Sequence, residues 1–600
     1  MERAYTGFTW YAVSLFAVLA VGALMLLRWG MRRGRRSTPT TPPRRWATIA
    51  STAAFAVAIT SAVVVVFIEV LIFQDYGIHF YEFDVAGILA DAALRRDLGI
   101  QPAEVARVTF AAIGLLMGQL LLWAAAARLA AWRNGALPRA CGAVMLIGVP
   151  GGLAAFHVSE DTIGVARAEF VGALPLGRQL LFRTASGPHV LVDPRLGSGG
   201  YPVLVADASA PRLATTPNIV FFVPDGLRAD MIREELTPHI LDFAARPEVI
   251  HSRRHFSTGH VSEAGIFGLL YSLNGHAFNA FIGARVPAYP IELLKRNGYH
   301  TYFLSSSRLN PYPTDQLIRT FDEVSYPTDD DEAIEHLTRF VAARRADGKP
   351  YFVLAFFYTP HFPFTSAKPH LRRYPSVGSK ARTNYMNDVI QTDDYFRQTF
   401  ELVRRDYEQG RTLLLVTSDH GEELREHGSF GHASPTFWNE KIQVPFALGL
   451  PGARPSLEAR RPRNTTHVDA WPTIFAHLGV TPAALAETYS DGRSLLSTNA
   501  SPPPPPFVAG RFFPYADRPS VLVDEERKYW FRVERAGAGG QLCIEITRVT
   551  DLLDAPVVLG PGALDVSRIP AFADFQRTFW RFLSPAGPQT APCSTEPAHS

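Results

Sequence analysis

Hydrophobic positions along this chain fall into two regimes. Before about residue 160 they form long uninterrupted runs, and after about residue 215 they come in short blocks between polar segments. Four of the early runs, at about 8–27, 47–68, 108–127 and 140–158, reach the roughly 20 residues a membrane-spanning helix needs. Pro150, Gly151 and Gly152 interrupt the fourth. The first run is too long for a cleaved signal peptide, and no small-residue cleavage site precedes the arginines that follow it.

Charge orients these spans. The first loop carries Arg28, Arg32, Arg33, Arg35, Arg36, Arg44 and Arg45, and the third carries Arg128, Arg133 and Arg139. The second is acidic, with Asp75, Glu82, Asp84, Asp91, Asp97 and Glu104. Positive loops stay in the cytoplasm. The expectation is an integral protein of a bacterial inner (cytoplasmic) membrane, with everything after the fourth span outside the cytoplasm.

Beyond a Gly- and Pro-rich connector at 161–214, strand and helix signals alternate, which predicts a parallel sheet covered by helices. The clearest strands are Asn218–Val223, His300–Leu304, Tyr351–Phe357 and Thr412–Thr417, all nearly continuous apolar runs suited to burial on both faces. Three of them end at polar clusters: Pro224-Asp225-Gly226, Tyr358-Thr359-Pro360-His361 and Ser418-Asp419-His420-Gly421. Ligands of open α/β sheets gather beyond the carboxyl ends of the strands, so these clusters should meet. The proline run Pro502–Pro506 separates this region from a C-terminal part, with strands at Ser520–Val523 and Tyr529–Val533 and an aromatic helix near Phe572–Leu583. The expected order is a transmembrane domain at 1–160, the connector, a catalytic domain at 215–500 and a C-terminal α+β subdomain with a tail at 507–600.

A net charge of +3 over 600 residues gives no broad basic field, so nucleic acid is excluded as a partner. The segment Thr417-Ser-Asp-His-Gly-Glu-Glu-Leu-Arg-Glu-His-Gly428 carries the strongest chemistry. Asp419 and His420 place a carboxylate oxygen and an imidazole nitrogen at a strand end, a pairing that suits zinc or manganese.

Through these residues the chain resembles the alkaline-phosphatase/sulfatase superfamily over about residues 215–500. Pro217-Asn-Ile-Val-Phe-Phe-Val-Pro-Asp-Gly-Leu-Arg-Ala-Asp230 is similar to that superfamily's opening strand and first metal ligand, and Ser418-Asp-His-Gly421 to its second metal motif. His467-Val-Asp-Ala-Trp-Pro-Thr-Ile474 and Asp491-Gly-Arg-Ser-Leu495 resemble its downstream segments. The anchor and Asp75-Tyr-Gly-Ile-His-Phe80 resemble membrane-bound lipoteichoic acid synthases, with phosphoethanolamine transferases also similar. The stretch from His255 to Tyr271 resembles the sulfatase-like inner-membrane regulators of lipopolysaccharide synthesis. The resemblance implies an αβα sandwich with a mostly parallel sheet and one divalent ion, zinc or manganese, on Asp225, Ser262, Asp419 and His420.

It also implies a nucleophile at the start of a helix, where free N–H groups favour negative charge. Ser262 fits by its spacing from Leu269-Leu270-Tyr271; Ser257, Thr258 or Ser262 itself could instead cap that helix, and a one-residue shift of alignment would put Val261 there. Ala264 and Ile266 stand where a formylglycine signature needs Pro and Arg, so strict sulfatase activity is not expected. His361 and His432, the latter thirteen residues after Asp419, are expected to bind phosphate, protonate the leaving oxygen or complete a second metal site, against a plain structural role. Glu422, Glu423 and His427 would orient ligands or form a solvated helix face.

The functional expectation is a membrane-anchored, metal-dependent hydrolase or phosphotransferase. It would act through Ser262 on a membrane phospholipid head group, a lipid-linked substrate or an envelope glycan. The alternative is a catalytically silent lipid-binding regulator of envelope lipid synthesis, and an envelope protein partner is a further expectation.

Overall fold

The computed structural model describes residues 201, 211–278, 281–282, 285–307, 317–362, 364, 367–374, 380–428, 430–432, 436–453, 463–480, 489–496, 505–510, 519–536, 541–557, 566–579 and 590–592. All lie in the compact unit Pro188–Ser600. Among them no helix is long and apolar enough to cross a membrane. The four expected spans, their charged loops and Asp75–Phe80 lie outside the described residues.

The apolar runs form the middle of a sheet. Strands β1 (Asn218–Pro224), β2 (Val249–Ser252), β4 (His300–Ser305), β5 (Glu323–Ser325), β6 (Tyr351–Phe357), β7 (Thr412–Thr417) and β10 (Phe446–Gly449) make seven strands in the order β2-β10-β7-β1-β6-β4-β5. Pairings β7-β1, β1-β6, β6-β4 and β4-β5 are parallel, while β10 runs antiparallel to both neighbours. The sheet is therefore mixed and mostly parallel. Its four expected central strands are present, and β2, β5 and β10 flank them.

Successive residues of a strand point to opposite faces, and neighbouring phenylalanines of β1 show both faces covered. Phe221 meets Trp471 of helix α7 (Ala470–His477) at 5.2 Å between ring centroids. Phe222 meets Phe396 of helix α5 (Lys380–Glu408) at 5.5 Å. Helices α1 (Pro238–Ala244) and α4 (Asp330–Asp347) pack beside α5, and α2 (Ser262–Tyr271) packs against α3 (Tyr289–Arg296). The result is three layers, helices on both faces of the sheet, with the aromatic core between them.

Short ladders finish the unit. β3 (His255–Phe256) pairs in parallel with β11 (Thr465–Thr466), and β8 (Glu423–Leu424) forms a hairpin with β9 (Phe430–Gly431). Lys441 lies on the one-turn helix α6 (Asn439–Ile442). A second sheet of five strands follows: β12 (Phe507–Val508), β13 (Ser520–Val523), β14 (Arg527–Ala536), β15 (Gln541–Asp551) and β16 (Thr590–Pro592). Helix α8 (Pro570–Phe579) packs on it through Phe572 and Phe575, which contact Phe531.

Candidate metal centre

The parallel strands all end at one edge, and the chemistry collects there. Asp225 follows β1, Ser307 follows β4, His361 follows β6, and Asp419 and His420 follow β7. β2 runs parallel to β7 through its pairing with β10, so it delivers the 253–261 segment and the start of α2 to the same edge.

Asp225, Asp419 and His420 are fully buried, and their ligand atoms lie within 4.8 Å of one another. Asp225 Oδ2 accepts from Ser307 Oγ at 2.7 Å, and Asp419 Oδ1 accepts from the N–H groups of Gly226 at 3.1 Å and His420 at 2.8 Å. The other two oxygens, Asp225 Oδ1 and Asp419 Oδ2, accept no hydrogen bond. They face His420 Nε2 at 3.6 and 3.3 Å. His420 Nδ1 lies 3.0 Å from the Gly421 carbonyl. A carbonyl only accepts, so Nδ1 carries the hydrogen and the Nε2 of a neutral ring is bare. A bare nitrogen aimed at two carboxylate oxygens is repulsive unless a cation lies among them. Burial, and next the negative charge of Asp419, push the Asp225 carboxyl well above its ordinary range, the same demand for a cation seen from the proton side. The donor set of two carboxylates and an imidazole fits one divalent ion of borderline softness.

Ser262 occupies the first turn of α2, with Val261 in the capping position and no side-chain cap bond at this end. Its half-buried hydroxyl lies 3.0 Å from His420 Nε2, so it joins the three ligands instead of capping the helix. Thr258 Oγ1 donates to the Ala264 carbonyl at 2.7 Å, and Ser257 Oγ donates to the Asp419 carbonyl; both are buried. Two glycines make this closeness feasible. Gly226 has φ +82° and sits against Glu422, and a Cβ on Gly265 would lie 2.2 Å from the Asp419 carbonyl oxygen.

A second cluster adjoins the first. The ligand atoms of His361, Glu422 and His432 also lie within 4.8 Å of one another. His432 Nδ1 is 2.8 Å from Glu422 Oε1 and His361 Nδ1 is 2.5 Å from the Phe362 carbonyl, so both rings carry their hydrogen on Nδ1 and present Nε2. The rings of His420 and His432 are 4.0 Å apart, and those of His361 and His432 5.3 Å. Burial lowers the His361 pKa and raises that of Glu422, whose Oε2 accepts no hydrogen bond. Asp330 anchors the His361 loop by accepting from the N–H groups of Tyr358 at 2.9 Å and Thr359 at 3.0 Å and from the Ser306 hydroxyl.

Residues 217–480 match the sulfatase family model. The matched segment, less than half of the chain, is a sulfatase-like domain. The chain is 24% identical over 297 residues to the inner membrane protein YejM of Salmonella typhimurium, a match covering 48% of this chain and 45% of that protein. An uncharacterized protein of Haemophilus influenzae is 23% identical over 240 residues, 39% of this chain and 36% of that one. The chain thus spans less than half the length of the curated relatives it matches. Among solved structures, the C-terminal periplasmic domain of EcEptC from Escherichia coli aligns with a TM-score of 0.42 at 14% identity, over 53% of this chain and 96% of that one. The EcEptC domain has also been crystallised in complex with Zn.

Within the sulfatase-family domain, the expected ligands Asp225, Ser262, Asp419 and His420 come together, and His361 and His432 stand beside them. The solvated-face alternative for Glu422 and Glu423 is corrected. Both are buried, and they belong to the approach and first strand of the β8–β9 hairpin, not to a helix. Arg228 donates to the Glu422 carbonyl at 3.1 Å and pairs with Glu426, and Lys441 pairs with Glu423 at 3.4 Å. His427 is exposed, with its ring stacked on Trp438 at 4.1 Å. Ser307 and Asp330 carried no motif; only the fold brings them to Asp225 and the His361 loop.

Proposed function

We propose that this protein is a membrane-anchored, metal-dependent hydrolase or phosphotransferase, with Ser262 as nucleophile and its catalytic domain outside the cytoplasm. The observation that carries this reading is the convergence of the Ser262 hydroxyl, the bare His420 Nε2 and two carboxylate oxygens without hydrogen bonds on one buried point. Asp225, Asp419, His420 and Ser262 would hold one zinc or manganese ion. A divalent ion there lowers the pKa of a bound hydroxyl and neutralises charge on a transferring group.

The chain's own residues supply the rest. Ser262 Oγ bonds to phosphorus as the bond to the leaving oxygen breaks, and the free N–H groups at the start of α2 receive the developing negative charge. The proton that Ser262 loses passes to the bare Nε2 of His432, whose Nδ1–H is held by Glu422, and His432 then gives it to the leaving oxygen. Water or an acceptor hydroxyl then attacks the phosphoserine. A domain tethered at a membrane meets lipid head groups and envelope glycans, which makes a membrane phospholipid or lipid-linked molecule the substrate class. The match to inner membrane proteins supports that location.

The second reading, a fold kept for binding lipid without turnover, is favoured by the likeness of His255–Tyr271 to the inner-membrane regulators. Against it stands the retained donor set, which lipid binding alone does not require.

The test is elemental analysis of the purified full-length protein beside Asp419→Ala, followed by a screen for head-group release from phospholipids. About one zinc or manganese per chain, absent from the variant, together with Ser262-dependent release, is the expected result. A metal-free wild-type protein that is folded and binds lipid overturns the catalytic reading.

A further inference from the structure

His432 is the first residue beyond the short β8–β9 ladder, in which Gly431 pairs with Glu423. Gly431 takes a positive φ of +73°, so the chain turns just before the ring that the proposed chemistry uses. Glu422 Oε1 holds that ring at Nδ1, 2.8 Å away. A ring held at one point still moves with its main chain, so its position depends on what fixes the backbone of His432.

His260 does so. Its Nδ1 lies 2.8 Å from the His432 carbonyl oxygen. A carbonyl only accepts, so His260 Nδ1 carries the hydrogen whatever the charge of the ring. The His260 side chain is fully buried, and the buried Phe437 ring meets it edge-on at 5.3 Å between centroids. The segment that carries His260 is pinned as well. Gly259 bridges to Ala509 beyond β12, the Ala509 N–H donates to the Thr258 carbonyl at 3.0 Å, and Thr258 Oγ1 donates to the Ala264 carbonyl at 2.7 Å. His260 is a fixed post to which the His432 loop is tied.

The post stands on the segment that presents the nucleophile. Ser262 follows two residues later, with extended Val261 between them. Ser262 Oγ reaches the His420 ring at 3.0 Å while His260 reaches the main chain of His432, and the His420 and His432 rings are 4.0 Å apart. We infer that His260 is a positioning residue: its N–H on the His432 carbonyl sets the place of the proton carrier relative to Ser262. That purpose rests on the catalytic reading, whereas the tie rests on the geometry alone. His260 acts through His432, and a displacement of about 1 Å in such a group can cost about 10²-fold in rate.

Two variants of the full-length protein test it: His260→Phe, which keeps a ring against Phe437 and removes the donor, and His260→Asn, which returns an N–H near the place of Nδ1. The first readout needs no turnover. Hydrogen exchange in the 428–432 segment is expected to accelerate about 3- to 10-fold in His260→Phe and to stay within about twofold of wild type in His260→Asn. The second compares head-group release from phosphatidylethanolamine–phosphatidylglycerol vesicles with hydrolysis of bis-p-nitrophenyl phosphate, whose leaving group needs no proton. In His260→Phe, kcat on the vesicles should fall about 10- to 100-fold and far less on the aryl ester, with KM and metal content at wild-type values, and His260→Asn should recover most of the loss. Unchanged exchange in His260→Phe overturns the inference, as do equal losses on both substrates without recovery in His260→Asn. If His260→Phe does not fold, His260→Leu takes its place as the variant without a donor. A wild-type protein that turns over neither substrate sinks the catalytic reading, and exchange alone then decides whether His260 holds the His432 loop.

Discussion

Ser262 Oγ lies 3.0 Å from His420 Nε2, on the first turn of α2, although 158 residues separate the two in sequence. A capping serine would bond the N–H groups of its own helix. This one bonds a metal-ligand candidate of the adjoining loop.

Ser262→Ala is therefore expected to abolish turnover, by ~10³-fold or more, while leaving the fold and most metal binding intact. Metal content and head-group release measured on one preparation separate the two effects. Residual turnover near the wild-type level would move the nucleophile elsewhere.

His432 and Glu422 make a different prediction. With Nδ1 held by Glu422, His432 is poised to protonate a leaving oxygen. His432→Ala should lower kcat by about 10²–10⁴-fold on a poor leaving group, and far less on an activated aryl ester, which needs no protonation. Glu422→Gln should show the same pattern, more weakly. Equal losses on both substrates would point to a binding role.

Much of the central sheet was legible because β1, β6 and β7 are continuous apolar runs whose ends carry the chemistry. β2 and β10 escaped notice: His251 and Ser252 break the first, and Phe446–Gly449 is too short to announce itself. Glu422 and Glu423 lay beyond the reach of a local pattern. Glu-Glu-Leu-Arg-Glu-His reads as a polar surface until Arg228, far upstream, and Lys441 on the following helix α6 are seen to hold it inside. Burial of charge is decided by partners that only the fold supplies.

That buried ion pair gives a third prediction. Lys441 and Glu423 are fully buried, and burial brings the Lys441 pKa down to about 8. Removing one partner, as in Lys441→Met, leaves the buried Glu423 carboxylate without its counter-charge and should cost about 3–5 kcal/mol. The double variant Lys441→Met, Glu423→Leu should recover most of that loss or exceed the wild type, as buried pairs replaced by apolar side chains often do. A double-mutant cycle on melting temperature measures it, and simple additivity of the two losses would contradict it.

Gly265→Ala tests the close approach beneath Asp419. The added methyl would lie 2.2 Å from the Asp419 carbonyl oxygen, which is backbone and cannot swing aside. Overpacking of this kind typically costs about 1–3 kcal/mol. Metal affinity should suffer as well, because the displaced atom belongs to a ligand residue. Gly298→Ala is the control, since nothing lies within 4 Å of a Cβ there and only its φ of +86° is strained. It should lose stability without losing metal.

The pH dependence of stability has a sign fixed by His467. Burial brings its pKa down to about 3, against about 6.5 in an unfolded chain. Between these values the unfolded chain takes up a proton that the folded state refuses, so this contribution is intact above pH 6.5 and is lost as pH falls towards 3. One proton of difference corresponds to about 1.4 kcal/mol per pH unit. Asp469 works in the opposite direction. Burial raises its carboxyl to about 6, so its contribution is complete below pH 4 and is lost as pH rises through 6. The clean observable is therefore a difference between proteins. In the metal-free state, wild type should lose more melting temperature than His467→Gln between pH 6.5 and 4.5, and the two curves should run parallel above pH 7. Parallel curves across the whole range would mean that His467 titrates in the folded protein as it does in the unfolded chain, and that burial does not keep it neutral.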